Sequence, residues 1–282
     1  MSGLLAVVLA ALALFAAAYV VVAALLRRLP APPLLRPRTP APAGWAEVIA
    51  QQVPLARGLL AAERHRLLEL VQLFLADKHF EGCNGLVLTE DMKVTIAAEA
   101  CLLLLHLEGP VYPTLRTVLV YPGAFVPKPA WPSTYHHVES EPAPLMGQSL
   151  RQGVVVLSWD DVRNGARDPA DGRNVVLHEF AHQLDQEDGL VSGAPLLSGG
   201  ALRAWARVLA GEFDRLKRDA AAERPSVLDA YGATNEAEFF AVATETFFEK
   251  PAALERDHPE LYAQLRDFYH QDPGQRPGPE AR

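Results

Sequence analysis

The chain has 282 residues, with 26 basic and 34 acidic side chains and a formal net charge of −8. Residues 1–40 hold four arginines and no acid, so the remainder is more acidic still, at 22 basic against 34 acidic. An acidic body of this kind argues against nucleic acid as a partner, and the length is ample for a sizeable core. The two cysteines, Cys83 and Cys101, have no C-x-x-C spacing and are read as reduced thiols.

Gly3 to Leu26 is an uncharged run of 24 residues. As a helix it would be about 36 Å long, enough to cross a hydrocarbon layer of about 30 Å. No Lys or Arg precedes it and Arg27-Arg28 follow it, the pattern of an uncleaved transmembrane helix rather than a cleaved signal. The positive-inside rule then places the arginines and all that follows in the cytoplasm, at the inner (plasma) membrane. Residues 27–44 form a Pro-rich linker, with six prolines in "PAPPLLRPRTPAP" (30–42).

The body is expected to divide into an N-terminal helical part over 45–150 and a catalytic part over 151–272, with a loose tail over 273–282. In "RGLLAAERHRLLELVQLFLADKHF" (57–80), Leu60, Leu67, Leu68, Val71, Phe74 and Leu75 recur at helical spacing. "EGCNGLVLTED" (81–91) reads as a turn, a short strand and a turn. "MKVTIAAEACLLLLHL" (92–107) is an apolar helix. "LRTVLVYPG" (115–123) is a strand by its β-branched content and Pro-Gly stop. A Pro-rich loop over 127–150 carries His136 and His137.

"QGVVVLSWDDV" (152–162) reads as a strand running into a turn, expected at a sheet edge that a substrate backbone can pair with. Helices follow at 173–187, ended by Gly189, at 201–223, at 235–251, stopped by Pro251, and at 259–271. The fold class is α+β, mostly helical, with a small sheet.

"VVLHEFAHQLDQEDG" (175–189) contains His178-Glu179-Phe180-Ala181-His182, the pattern H-E-x-x-H. On a helix, positions four apart share a face, so His178 and His182 can both point a nitrogen at one zinc ion. Glu179 lies about 100° round the helix, where its carboxylate can take a proton from a metal-activated water and return it to a leaving amine. Catalytic zinc commonly has three protein ligands and an open position. Several residues offer the third. Asp185 shares the face but sits on the same helix, and better suits a partner for a histidine N–H. Glu238 can face the histidines from the next helix, with Glu236, Glu245 and Glu249 competing. Glu236 reads as a first-turn surface charge, Glu245 as a supporting residue and Glu249 as solvent-facing. His136 and His137 could also ligate, from a poor platform.

With these residues in hand, the chain resembles the Mlc titration factor A family of bacterial zinc-dependent peptidases. The resemblance runs from about residue 60 to Pro273. It is carried by "EGCNGL", "VYPGAF", "VVLSWDDV", "NVVLHEFAHQLD", "DAYGATNEAEFFAVATETFF" and "FYHQDP". It implies a zincin-like catalytic domain similar to that of anthrax lethal factor, with one zinc held by His178, His182 and Glu238 and with Glu179 as general base. Tyr231, seven residues before that glutamate, matches a tyrosine that donates to the oxyanion, a role in which a phenol beside a metal is physically apt. The resemblance further implies aminopeptidase-like hydrolysis of peptide or protein substrates, and binding to a glucose-responsive transcriptional repressor. The departure is the N-terminal run and linker. The alternative to an enzyme is a non-catalytic protein that sequesters a regulator, with zinc as a structural pin. Structural sites are normally closed by four protein ligands, and three good ones are in view, which favours catalysis.

Overall fold

Three short strands lie side by side: β1 (His79–Gly82), β2 (Thr117–Tyr121) and β3 (Val154–Ser158), in that order and all parallel. The register sets His79 against Thr117 and Thr117 against Val154. β3 pairs only with β2 among the described residues and so forms an edge, as expected of it. Parallel neighbours need a crossover. Helix α3 (Glu90–Leu102) lies in the connection between β1 and β2, and ten of its residues are buried, in agreement with its largely apolar sequence, with Glu99 the one buried acidic residue. The computed structural model describes residues 37, 39–123, 153–186, 193 and 199–276.

The other helices are α1 (Ala43–Gln52), α2 (Ala61–Asp77), α4 (Trp159–Arg167), α5 (Val175–Asp185), α6 (Gly199–Ala221), α7 (Glu236–Glu249), α8 (Pro251–Asp257) and α9 (Pro259–Tyr269), of which α4 and α5 pack on β3. The result is mostly helical with a small sheet, in line with the expected α+β class. The sheet joins the two parts of the body, taking β1 and β2 from residues before 150 and β3 from those after. The core runs through one aromatic seam. Phe74 of α2 and Phe180 of α5 have ring centroids 5.6 Å apart, and Tyr112 sits 4.9 Å from Phe180. A second seam joins Trp205 of α6 to Phe240 of α7 and Phe268 of α9, at 5.7 and 5.5 Å.

Several boundaries differ from the sequence expectation, each for a local reason. The helix expected to Phe80 stops at Asp77 because Lys78 turns extended and its buried ammonium is held by the carbonyls of Tyr112 (2.8 Å) and Leu115 (3.1 Å). The strand expected within 81–91 therefore begins early, at His79. Four residues are too few for alternation to show in sequence. The helix expected to Leu107 ends at Leu102 and continues as tight turns. Where a turn was expected after β3, α4 forms. The Ser158 hydroxyl accepts the Asp161 N–H, and Asp160 and Asp161 suit the first turn. Pro251 both stops α7 and opens α8, since proline is tolerated at the first helical position. The tail expected to be loose over 273–282 is held as far as Arg276. The Tyr262 hydroxyl donates to Asp272, and Gly274 N–H donates to Tyr262 Oη at 3.1 Å.

Among the described residues no helix is long and apolar enough to cross a membrane. The anchor expected at residues 3–26 lies outside the described residues, as do His136, His137 and Gly189.

Candidate metal centre

α5 starts at Asn174, whose Oδ1 accepts the N–H groups of Val176 (3.1 Å) and Leu177 (3.0 Å), an N-cap. The apolar residues Val176, Leu177, Phe180 and Ala181 are fully buried and fasten the helix to the core. That leaves the face bearing His178 and His182 turned toward α7. Their rings lie 4.9 Å apart, one helical turn along.

α7 starts at Asn235, whose side chain accepts the Glu238 N–H at 3.0 Å. Its phenylalanines 239, 240, 247 and 248 are buried. Gly193 approaches the start of this helix closely. Its φ is +66°, and a Cβ there would stand 2.4 Å from the Glu236 carbonyl oxygen, so only glycine fits. Packed in this way, α7 presents Glu238 to the two histidines. Glu238 Oε2 is 3.0 Å from His178 Nε2 and 3.4 Å from His182 Nε2.

These three atoms fit a metal. Tetrahedral zinc with bonds of about 2.0 Å sets its ligand atoms about 3.3 Å apart, close to both separations. The His182 Nε2 is buried and makes no hydrogen bond despite its 3.4 Å approach to Glu238, as expected of a donor atom that awaits a cation. Among the described residues, His178, His182 and Glu238 are the group of histidine and acidic side chains arranged to hold an ion.

The electrostatics are those of a charge cluster. Burial pulls the His178 imidazole down, but its hydrogen bonds to the Glu238 and Glu245 carboxylates outweigh it and hold its pKa well above the ordinary value. Burial pushes Glu238 up, but the hydrogen bond from His178 and the close approach of the His182 ring outweigh it, bringing it down to about 2. His178 thus bridges two carboxylates, with Nδ1 2.7 Å from Glu245 and Nε2 3.0 Å from Glu238. Glu179 is buried beside them. Its carboxyl is pushed up to about 8, by burial first and then by the Glu238 and Glu245 carboxylates, with His178 opposing. Tyr231 stands in a short 3-10 turn, Ala230–Ala233, with its ring 6.0 Å from that of His178. Burial and the facing Glu238 and Glu179 carboxylates push its phenol up, so it stays protonated.

All five residues expected at the site therefore come together. Of the competing acids, Glu236 is exposed as expected, and Glu245 supports His178 through Nδ1. Glu249 does not face solvent. It is buried and accepts the Arg173 N–H at 2.9 Å. Glu245 also accepts the Asn174 N–H at 2.6 Å, and Glu99 of α3 receives the Asn174 side-chain amide at 3.4 Å. Three buried glutamate side chains thus grip the entry to α5. Sequence reasoning missed Asn174 and Glu99. The signals were an Asn just before an apolar helical run and a lone charge inside one.

Glu99 makes a test of this grip. Burial pushes its carboxyl up to about 8, against the Asn174 hydrogen bond. The folded chain keeps a proton that the unfolded chain releases near 4.5. Stability from this group is fully present below that lower value and is lost as pH rises toward the upper one. Glu99→Gln removes the dependence. Its melting temperature relative to wild type should climb by several degrees between pH 5 and pH 8. A difference that stays constant across that range would contradict the buried, protonated Glu99.

Comparison with known proteins adds an independent line. The family model described as glucose-regulated metallo-peptidase M90 matches residues 31–270. An uncharacterized protein of Synechocystis sp. is 40% identical over 236 residues, covering 83% of this chain and 86% of its own length. Mlc titration factor A of Serratia proteamaculans is 34% identical over 241 residues, 84% of this chain and 90% of that protein. Mlc titration factor A of Salmonella arizonae is 33% identical over 235 residues, 82% and 92% respectively.

Proposed function

The chain belongs to the glucose-regulated metallo-peptidase M90 family, and on that premise we propose that it is a membrane-tethered zinc peptidase with aminopeptidase-like activity. The observation that carries the reading is the spacing of His178 Nε2, His182 Nε2 and Glu238 Oε2 beside a buried Glu179.

His178, His182 and Glu238 would hold the zinc. The ion supplies Lewis acidity, easing the ionisation of water and polarising a scissile carbonyl. Glu245 accepts the Nδ1–H of His178 and so leaves the Nε2 lone pair facing the cluster. Glu179, buried beside the three ligand residues, is placed to accept a proton from the attacking water in its ionised form, which a bound cation would favour. The same carboxyl then delivers the proton to the departing amine. The Tyr231 hydroxyl, which keeps its proton, donates to the oxyanion as charge develops on the carbonyl oxygen. Glu179→Gln, taken up in the Discussion, tests this assignment.

A second reading rests on the relatives named Mlc titration factor A. In it the chain binds a transcriptional repressor and the metal only braces the fold. A variant that cannot hydrolyse peptides but still binds a partner separates the two.

The tether rests on the uncharged run over residues 3–26 and the arginines after it. Expressed at full length, the protein should stay in the membrane pellet after alkaline carbonate extraction, with its C-terminus protected from protease in intact spheroplasts. Release into the carbonate supernatant would remove the tether from the account.

A further inference from the structure

Arg173, the residue before the α5 cap, connects three parts of the site. Its backbone N–H is held by Glu249 of α7 at 2.9 Å. Its guanidinium reaches Asp229, with Nε and Nη2 both donating to Oδ2, at 3.0 and 2.7 Å. The other oxygen of Asp229, Oδ1, accepts the backbone N–H of Tyr231 at 2.9 Å. One carboxylate therefore bridges the entry of the metal helix and the turn that carries the phenol.

We propose that Arg173 and Asp229 are positioning residues for Tyr231, a strut that sets the turn at a fixed distance from α5. The inference rests on the reading of Tyr231 as oxyanion donor. The turn is confined on its other side, where Gly232 packs so closely between Leu216 of α6 and Val242 of α7 that a Cβ would stand 3.1 and 3.2 Å from them. The turn is fitted against α6 and α7 there, and the strut fixes the remaining direction, toward His178. A displacement of about 1 Å in a reacting group is enough to cost catalysis heavily.

The pair is a weak contributor to stability. The Arg173 side chain is 66% exposed and that of Asp229 28%, and ion pairs so placed contribute little to the folding free energy. Its removal should therefore spare the fold and act on geometry. That separates a positioning role from a structural one.

The test uses the full chain with a fluorogenic peptide as probe. The variants are Arg173→Ala, Tyr231→Phe and the two combined. Arg173→Ala should lower kcat by about 3- to 10-fold with KM, zinc content and melting temperature unchanged. In the Tyr231→Phe background it should cost nothing further, because the group it positions is gone. A second readout needs no turnover. In chains labelled with 3-fluorotyrosine, the Tyr231 resonance, identified by its absence in Tyr231→Phe, should shift or broaden in Arg173→Ala. An unmoved resonance, or a kcat loss of equal size in both backgrounds, would overturn the strut. Full activity in Tyr231→Phe would instead remove the phenol from the mechanism, and the fluorine spectrum would still decide whether Arg173 places it.

Discussion

Glu179→Gln is expected to lower peptide hydrolysis by about 10²- to 10⁴-fold, the range that a positioned proton-transfer group contributes. Glutamine matches the shape of glutamate but accepts no proton at neutral pH. The three nitrogen and oxygen atoms that would hold the metal belong to other residues, so zinc content should be unchanged. The fold should not suffer either, since Glu179 is a buried carboxyl carried at the cost of desolvation, with its pKa pushed up to about 8. The loss should fall in kcat, because the proton moves in the transition state and not in substrate binding. Steady-state kinetics beside metal analysis check it. Hydrolysis that survives the substitution would remove Glu179 from the base position.

Glu238→Ala should act on the metal first. Glu238 Oε2 lies within 3.4 Å of both histidine Nε2 atoms and is the shared anionic ligand between them. Without it two neutral imidazoles remain, and zinc affinity should fall by more than about 100-fold, the upper end of what supporting partners alone cost. Competition with a fluorescent chelator measures this directly. Near-native zinc affinity in Glu238→Ala would show that another group is the third ligand.

Much of the site can be read along the chain because helices write their faces into sequence at fixed spacing. His178 and His182 are four apart, and no knowledge of the rest of the fold is needed to put them on one side. Glu238 is less legible from residues alone. Four acids in or beside one helix compete for the role, and only the packing of α5 on α7 brings Glu238 rather than Glu236 or Glu249 to the histidines. The family resemblance supplied what spacing could not. Glu249 was misread because a charged residue near a helix end ordinarily faces water, whereas here it is buried to receive the backbone of Arg173. β1 was displaced because strand identity in four residues is set by the neighbouring strand, not by local pattern. The Arg173–Asp229 contact spans 56 residues and leaves no local trace.

The most direct measurement of the central claim is zinc content together with peptide hydrolysis in the full chain, before and after chelation and after zinc is restored, with Glu179→Gln alongside. The account predicts one zinc per chain, hydrolysis that disappears with the metal and returns with it, and a Glu179→Gln protein that keeps its zinc and hydrolyses nothing. Bound zinc without hydrolysis of any peptide supplied, or hydrolysis equal in wild type and Glu179→Gln, would contradict it.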